Sequence, residues 1–230
     1  MRKRTKPCIY CGTPGAPEMD HVPPRCFFKR PGPEVLITVP CCHNCNSSFK
    51  NDDERARNLL VSLETTERHP DISDQLAGKR HRSLAESRSN LRHTIGSMRT
   101  VDRYSAGGVY LGKAVAFDLD QPFFDRFMVR VTRALLYHET GVTRSSHECE
   151  WGLSINVYDL QTMPDQLRAF YMRPAVIRDI AAGTFMYAAY FGKDAVNSLW
   201  LLRFYDGVEF RALLRDTTPL TLGGHERESR

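Results

Sequence analysis

The chain lacks any apolar run near the roughly 18 to 20 residues that a membrane-spanning helix requires. Its first residues, MRKRTKPCIY, are basic but lack the apolar core of a secretory signal, so a cytoplasmic protein is expected. It has no internal repeat and no low-complexity tract, which argues against a solenoid or an extended linker. Cysteine is odd in number, seven in 230 residues, which fits reduced thiols better than a secreted disulfide scaffold. Acidic residues are scarce at one end only: residues 1–50 carry eight Lys/Arg against three Asp/Glu, whereas residues 51–230 balance at 24 against 24. The whole net charge of +5 therefore lies in the first 50 residues.

What is present is ordinary globular material, 41% hydrophobic and 26% charged, enough for one or two domains with a core. Four of the cysteines form two Cys-x-x-Cys knuckles, Cys8/Cys11 and Cys42/Cys45. Two knuckles present four thiolates, the ligand set of a tetrahedral structural Zn²⁺ with no open position for water. Cys41 or His43 could replace Cys42, but Cys42-x-x-Cys45 has the better spacing. Cys26, Cys41 and Cys149 are then expected to be free, buried thiols.

Between the knuckles lies Asp20-His21-Val22-Pro23-Pro24. The prolines push this segment into an extended form, and the break is expected to let Asp20 and His21 reach one site from an irregular strand end. Pro31-Gly32-Pro33 reads as a turn and Val35–Val39 as a strand, so the two segments suggest a hairpin. A helix is predicted from about Asn46 to Arg68, with Asn46 and Lys50 on one face and Asp52, Asp53 and Glu54 as capping acids near its start. Residues 71–98 read as one polar helix or two, breaking at Gly78, with Leu84, Leu91 and Ile95 as a thin seam. Lys79–Arg103 is basic, seven Lys/Arg against two acids. It is either a polyanion-binding stretch or a solvated helix face.

From residue 101 the pattern changes. Val109–Leu119 reads as a strand. Asp120 and Pro122 open a helix carrying Phe123, Phe124, Phe127, Met128, Val131, Leu135 and Leu136 at helical spacing, and Gly141 ends it. Strands are predicted at Trp151–Tyr158, Thr184–Phe191, Ser198–Tyr205 and Val208–Leu214, the last two joined by an Asp206-Gly207 turn. The expected fold class is α+β: a zinc-containing ββα module (1–68), a basic helical connector (69–100) and an antiparallel sheet with packed helices (101–230).

The order Cys-x-x-Cys, Asp-His-x-Pro, hairpin, Cys-x-x-Cys-Asn resembles the HNH endonuclease superfamily and its ββα-metal fold, over about residues 5–60. The resemblance implies that His21 is a general base, that Asp20 and Asn46 hold a divalent cation, Mg²⁺ or Mn²⁺, and that Cys8, Cys11, Cys42 and Cys45 hold structural Zn²⁺. Imidazole suits a base near neutral pH, and oxygen ligands suit a hard cation. The family often carries an asparagine in the second strand, where Ile37 and Thr38 stand here. Arg25, Lys29 and Lys50 are candidate phosphate contacts. The expected activity is metal-dependent hydrolysis of nucleic acid, DNA before RNA, and a defence role against phage suits such a nuclease by analogy. The second reading is a zinc-containing nucleic-acid-binding or adaptor subunit that does not cut. Residues 101–230 would then recognise substrate or dock a protein partner such as an ATPase.

Overall fold

A computed structural model describes residues 6–105, 107–118, 121–143, 147–153, 165, 168, 172–193, 195 and 197–216. Among these, no helix is long and apolar enough to cross a membrane. The N-terminal part is a ββα unit. Strand β1 (Glu18–Val22) pairs antiparallel with β2 (Ile37–Cys41), and α1 (His43–Leu60) follows at once. The helix starts earlier than the sequence suggests because Cys42 is its N-cap, with the Cys42 carbonyl accepting from Asn46 N at 3.0 Å. It also ends earlier, where the Thr66 hydroxyl takes the Leu60 and Leu63 carbonyls at 2.7 and 2.9 Å. Asp52, Asp53 and Glu54 thus lie in mid-helix and cap nothing. Asp52 instead receives a two-pronged contact from Arg126, at 2.8 and 2.9 Å.

A π-helical turn (Ile72–Leu76) leads into α2 (Ala77–Glu86) and α3 (Arg88–Gly96), which are separated by the extended Ser87. Gly78 lies inside α2 and breaks nothing. Leu91 and Ile95 are exposed, so the expected seam does not pack. Strand β3 (Met98–Tyr104) begins where a helix end is expected and pairs with β4 (Tyr110–Phe117) as a separate exposed hairpin.

Helix α4 (Gln121–Thr140) has all seven predicted stripe residues buried, each contributing about 1.5–3 kcal/mol of transfer free energy. Gly141 ends it in the left-handed region (φ 72°). Asp120 lies outside the described residues. The helix packs against a five-stranded antiparallel sheet in the order β5 (His147–Leu153), β9 (Val208–Asp216), β8 (Ser198–Phe204), β7 (Phe185–Phe191), β6 (Val176–Ile180). Trp200, Leu202 and Phe204 of β8 point into the core at period two. Residues 154–158 of the predicted strand from Trp151 lie outside the described residues.

The β8–β9 turn sits one residue earlier than Asp206-Gly207 suggests. Tyr205 and Asp206 take positive φ (52° and 51°), and the Gly207 amide closes the turn on the Phe204 carbonyl at 3.1 Å. Gly207 is required for a different reason: a Cβ there would collide with the Thr65–Thr66 backbone. The turn is therefore pressed against the chain that follows α1.

This contact makes the ββα unit and the sheet share one core. Phe27 is fully buried and stacks on Phe127 of α4 (centroids 5.6 Å, planes 7° apart) and on Tyr205 (6.4 Å, 3°). The Tyr205 hydroxyl donates to the Phe27 carbonyl at 2.8 Å. Truncating Phe27 to Ala should cost about 3–5 kcal/mol. Denaturant titration followed by the fluorescence of Trp151 and Trp200, both in the sheet, should report that loss in a single transition. Two separated transitions in the wild type would contradict a common core.

Candidate functional site

The four knuckle cysteines converge. Their Sγ atoms lie within 4.8 Å of one another, and Cys11 and Cys42 Sγ are 3.6 Å apart. A tetrahedral Zn²⁺ with Zn–S bonds of 2.3 Å needs sulfurs about 3.8 Å apart, so the cluster fits that metal. Hydrogen bonding from Thr13 draws the Cys11 thiol down to about 6, whereas burial raises Cys45, whose deprotonation a bound cation would have to drive. Cys42 is the fourth member: Cys41 is fully buried and turned to the Cys42 carbonyl, and His43 Nδ1 is 2.7 Å from Glu18. All seven cysteines are free of disulfides, with Cys26 and Cys149 half-buried.

β1 is regular through Asp20 and His21, which pair with Val39 and Thr38. Successive side chains of a regular strand point to opposite faces. Asp20 and His21 therefore face opposite ways instead of reaching one site, because the Pro-Pro break comes after the strand and not within it. Asp20 turns inward, 5% exposed, where it accepts a hydrogen bond from the Tyr10 hydroxyl at 2.6 Å. Arg130 of α4, 3% exposed, lies 3.7 Å from the same Asp20 oxygen and 2.7 Å from Asp53 Oδ1. The Arg130–Asp53 approach is close but not aligned as a hydrogen bond, and Arg130 Nε and Nη2 also lack aligned acceptors. The guanidinium additionally sits over the Phe49 ring at 4.4 Å, so the cation beside Asp20 is a protein cation. Burial pushes Asp53 up to about 7 against the pull of Arg130.

Asn46 is occupied elsewhere. Its amide donates to Glu18 Oε2 at 2.7 Å, and His43 binds the other oxygen of the same carboxylate. These two bonds, Asn46 first, lower the Glu18 pKa, with Lys50 a minor contributor from the exposed surface. Asp20 and Asn46 thus have separate partners, and as a donor set for a hard divalent cation they do not fit this geometry. Among the described residues, the cysteines are the only group of three or more His, Cys, Asp or Glu side chains gathered closely enough to hold a metal.

His21 faces the other way, with Thr38, into a cleft of about 730 Å³. The cleft is lined by Arg25, Lys29, Arg30, Arg57 and Lys79, with Glu34 as its one acid among the lining residues. Burial first, then the Arg25 charge, hold His21 below the ordinary histidine value, with Asp20 opposing. The ring is therefore neutral at pH 7. Arg25 Nε donates to His21 Nε2 at 2.9 Å, and because arginine only donates, the ring proton belongs on Nδ1. Lys29 lines the cleft, but its ammonium is paired with the buried Asp71 at 2.8 Å. Lys50 is not in the cleft. Arg30, Arg57 and Lys79 are, and sequence reasoning missed them as site residues. Only the basic run beginning at Lys79 offered a signal.

Comparison with protein-family models, curated proteins and solved structures finds no match to this chain. What the chain does have is a ββα-like N-terminal unit and a four-cysteine cluster that could bind a metal.

Two outcomes test this description. The purified protein should carry one Zn²⁺ by elemental analysis and lose it on Cys8→Ala. Stripping the metal should remove on the order of 10 kcal/mol of binding free energy and melt the ββα unit. Arg130→Met should destabilise the fold by about 3–5 kcal/mol, because it leaves Asp20 and Asp53 buried without their cation. The loss should shrink as pH falls from 8 to 5. Asp53, which burial already holds up at about 7, loses the opposing pull of Arg130 and rises further in the variant, so the variant's native state keeps its proton to higher pH and gains stability relative to the wild type on acidification. Equal losses at both pH values would argue that Arg130 acts through packing alone.

Proposed function

We propose that the chain binds the phosphodiester backbone of nucleic acid in the His21 cleft and hydrolyses it, with His21 as general base. The supporting observation is a neutral imidazole set in a cationic cleft. Such a cleft concentrates polyanions, and a neutral imidazole is the protonation state that can accept a proton. The HNH-like order of the motif supports the same reading.

The roles follow from the contacts. A phosphate oxygen entering the cleft competes for the exposed Arg25 guanidinium and releases His21 Nε2. The freed Nε2 takes the proton of an attacking water as its oxygen bonds to phosphorus and the bond to the leaving oxygen breaks. Arg25, Arg30 and Lys79 offset the charge that grows on the phosphoryl oxygens. A divalent cation would supply further charge stabilisation, but no step is assigned to it, since Asp20 and Asn46 do not form its site in this arrangement.

The second reading, a nucleic-acid-binding subunit that does not cut, is favoured by the engagement of Asp20 and Asn46 with protein partners of their own, Tyr10 and Glu18. The zinc-loaded protein, its His21→Ala variant and labelled single- and double-stranded DNA and RNA distinguish the two, with added Mg²⁺, Mn²⁺ or neither. Hydrolysis that falls on the order of 10²-fold or more in His21→Ala is expected. Its kcat/KM should rise with pH through an apparent pKa below that of free histidine, because kcat/KM reports the free protein, in which burial and Arg25 lower the His21 pKa. Salt-sensitive binding without hydrolysis under any condition would favour the second reading. Equal cleavage by both proteins would remove His21 as the base.

A further inference from the structure

The wall of the cleft contains a buried cation whose one ion pair among the described residues, with Glu54, is long. Arg57 is 6% exposed, yet its Nε and Nη2 both turn to a neutral acceptor, Asn58 Oδ1, at 3.2 and 2.7 Å. Its nearest carboxylate, Glu54, stands at the hydrogen-bond limit of 3.5 Å. Asn58 is itself held by donation to Ser83 Oγ of α2 at 2.9 Å, which fixes the fork of Arg57 against the cleft. From α2, Lys79 enters the same wall and donates to the Phe28 carbonyl at 2.7 Å, another neutral acceptor. Burial, then the neighbouring Arg57 and Arg30, work against the Lys79 charge. Like charges held together at a half-buried wall cost free energy that an anion would recover.

We infer that Arg57 and Lys79, bridged through Asn58 and Ser83, form a built anion subsite in the cleft wall that takes a phosphate group. With Nε and Nη2 of Arg57 held by Asn58, its Nη1 end and the point charge of Lys79 supply the positive charge that a phosphate monoester or diester requires. The inference deepens the proposed reading of the cleft by assigning the phosphate anchor to residues other than His21. It also gives Asn58 a reason to be amide and not acid: an aspartate there would neutralise Arg57 and fill the demand for an anion from within.

The test is thermal denaturation of the full-length, zinc-loaded protein at fixed ionic strength, with inorganic phosphate against chloride. Saturating phosphate should raise the wild-type Tm by on the order of 5 °C. Asn58→Asp should raise the Tm in chloride and lose the phosphate response, and Lys79→Gln should weaken phosphate binding on the order of tenfold. A site that is merely structural would show the opposite sign for Asn58→Asp, a lower Tm with the wild-type response intact. Displacement of phosphate by a 5′-phosphorylated trinucleotide but not by its 5′-hydroxyl form assigns a terminal phosphate, and equal displacement by both assigns the backbone. Absence of any phosphate-specific shift in the wild type, or an unchanged response in Asn58→Asp, overturns the inference. Because the melt reads anion binding without requiring hydrolysis, its failure is distinct from a failure of His21 to act as base.

Discussion

The two-residue period of β1 is the constraint on which the functional geometry depends. Because Asp20 and His21 are adjacent in a regular paired strand, one must go in when the other goes out. Val22 and Val39, both fully buried, fix which face is inward, since slipping the register by one residue would place them in water and His21 in the core. Asp20 is therefore committed to the interior, where an ionised carboxylate is tolerable only beside a cation or several donors. Arg130 and Tyr10 meet that need, and Arg130 in turn carries Asp53 and covers Phe49. His21 is left for the cleft.

The ββα unit is held from two sides by different physics. On the side of the knuckles there is little apolar mass: Cys8, Ala16 and Cys41 form the small buried cluster there, beside the four-cysteine group that could hold a metal. On the other side Phe27, Phe28, Ile37 and Val39 join the aromatic cluster of α4 and the sheet. The cleft opens from the segment between β1 and β2, so its walls are set by this second attachment. Lys29 is tied to Asp71, which also accepts from Thr184 next to β7, so even the polar rim of the cleft is anchored to the sheet.

Much of this was legible in the residues, and the failures have local causes. The cysteine cluster was readable because metal spacing is a covalent pattern that tertiary packing does not override. Helix α4 was readable because seven large apolar residues at helical spacing have no other way to be buried together. The β1–β2 hairpin was legible, but its side-chain directions were not, since the effect of Pro23 and Pro24 depended on whether they lay inside the strand or after it. Asp52 and Asp53 looked like caps because their partners, Arg126 and Arg130, are more than 70 residues away. Strand β3 was missed because Met98–Tyr104 is nearly all exposed and offers no alternating pattern. Arg57 gave no signal, because a lone arginine in a polar helix differs from a surface residue only through its burial.

On the proposed reading, a base beside cations is at first sight in the wrong environment, because Arg25 weakens its proton affinity. The objection disappears when the charge of a substrate is included. In the empty cleft the burial of the ring and the Arg25 charge hold His21 below the ordinary histidine value, which favours the neutral ring before substrate arrives. On the proposed reading, a bound phosphate offsets those cations and draws Arg25 away from Nε2, and both changes raise the affinity of the ring for a proton. The base thus becomes stronger when the phosphate that needs it is present. A carboxylate in place of the imidazole would gain no such contrast, since it would pair permanently with Arg25 and lose its basicity to that pair. The same cations can therefore attract the substrate and keep the base ready for it, provided that the base is neutral when free.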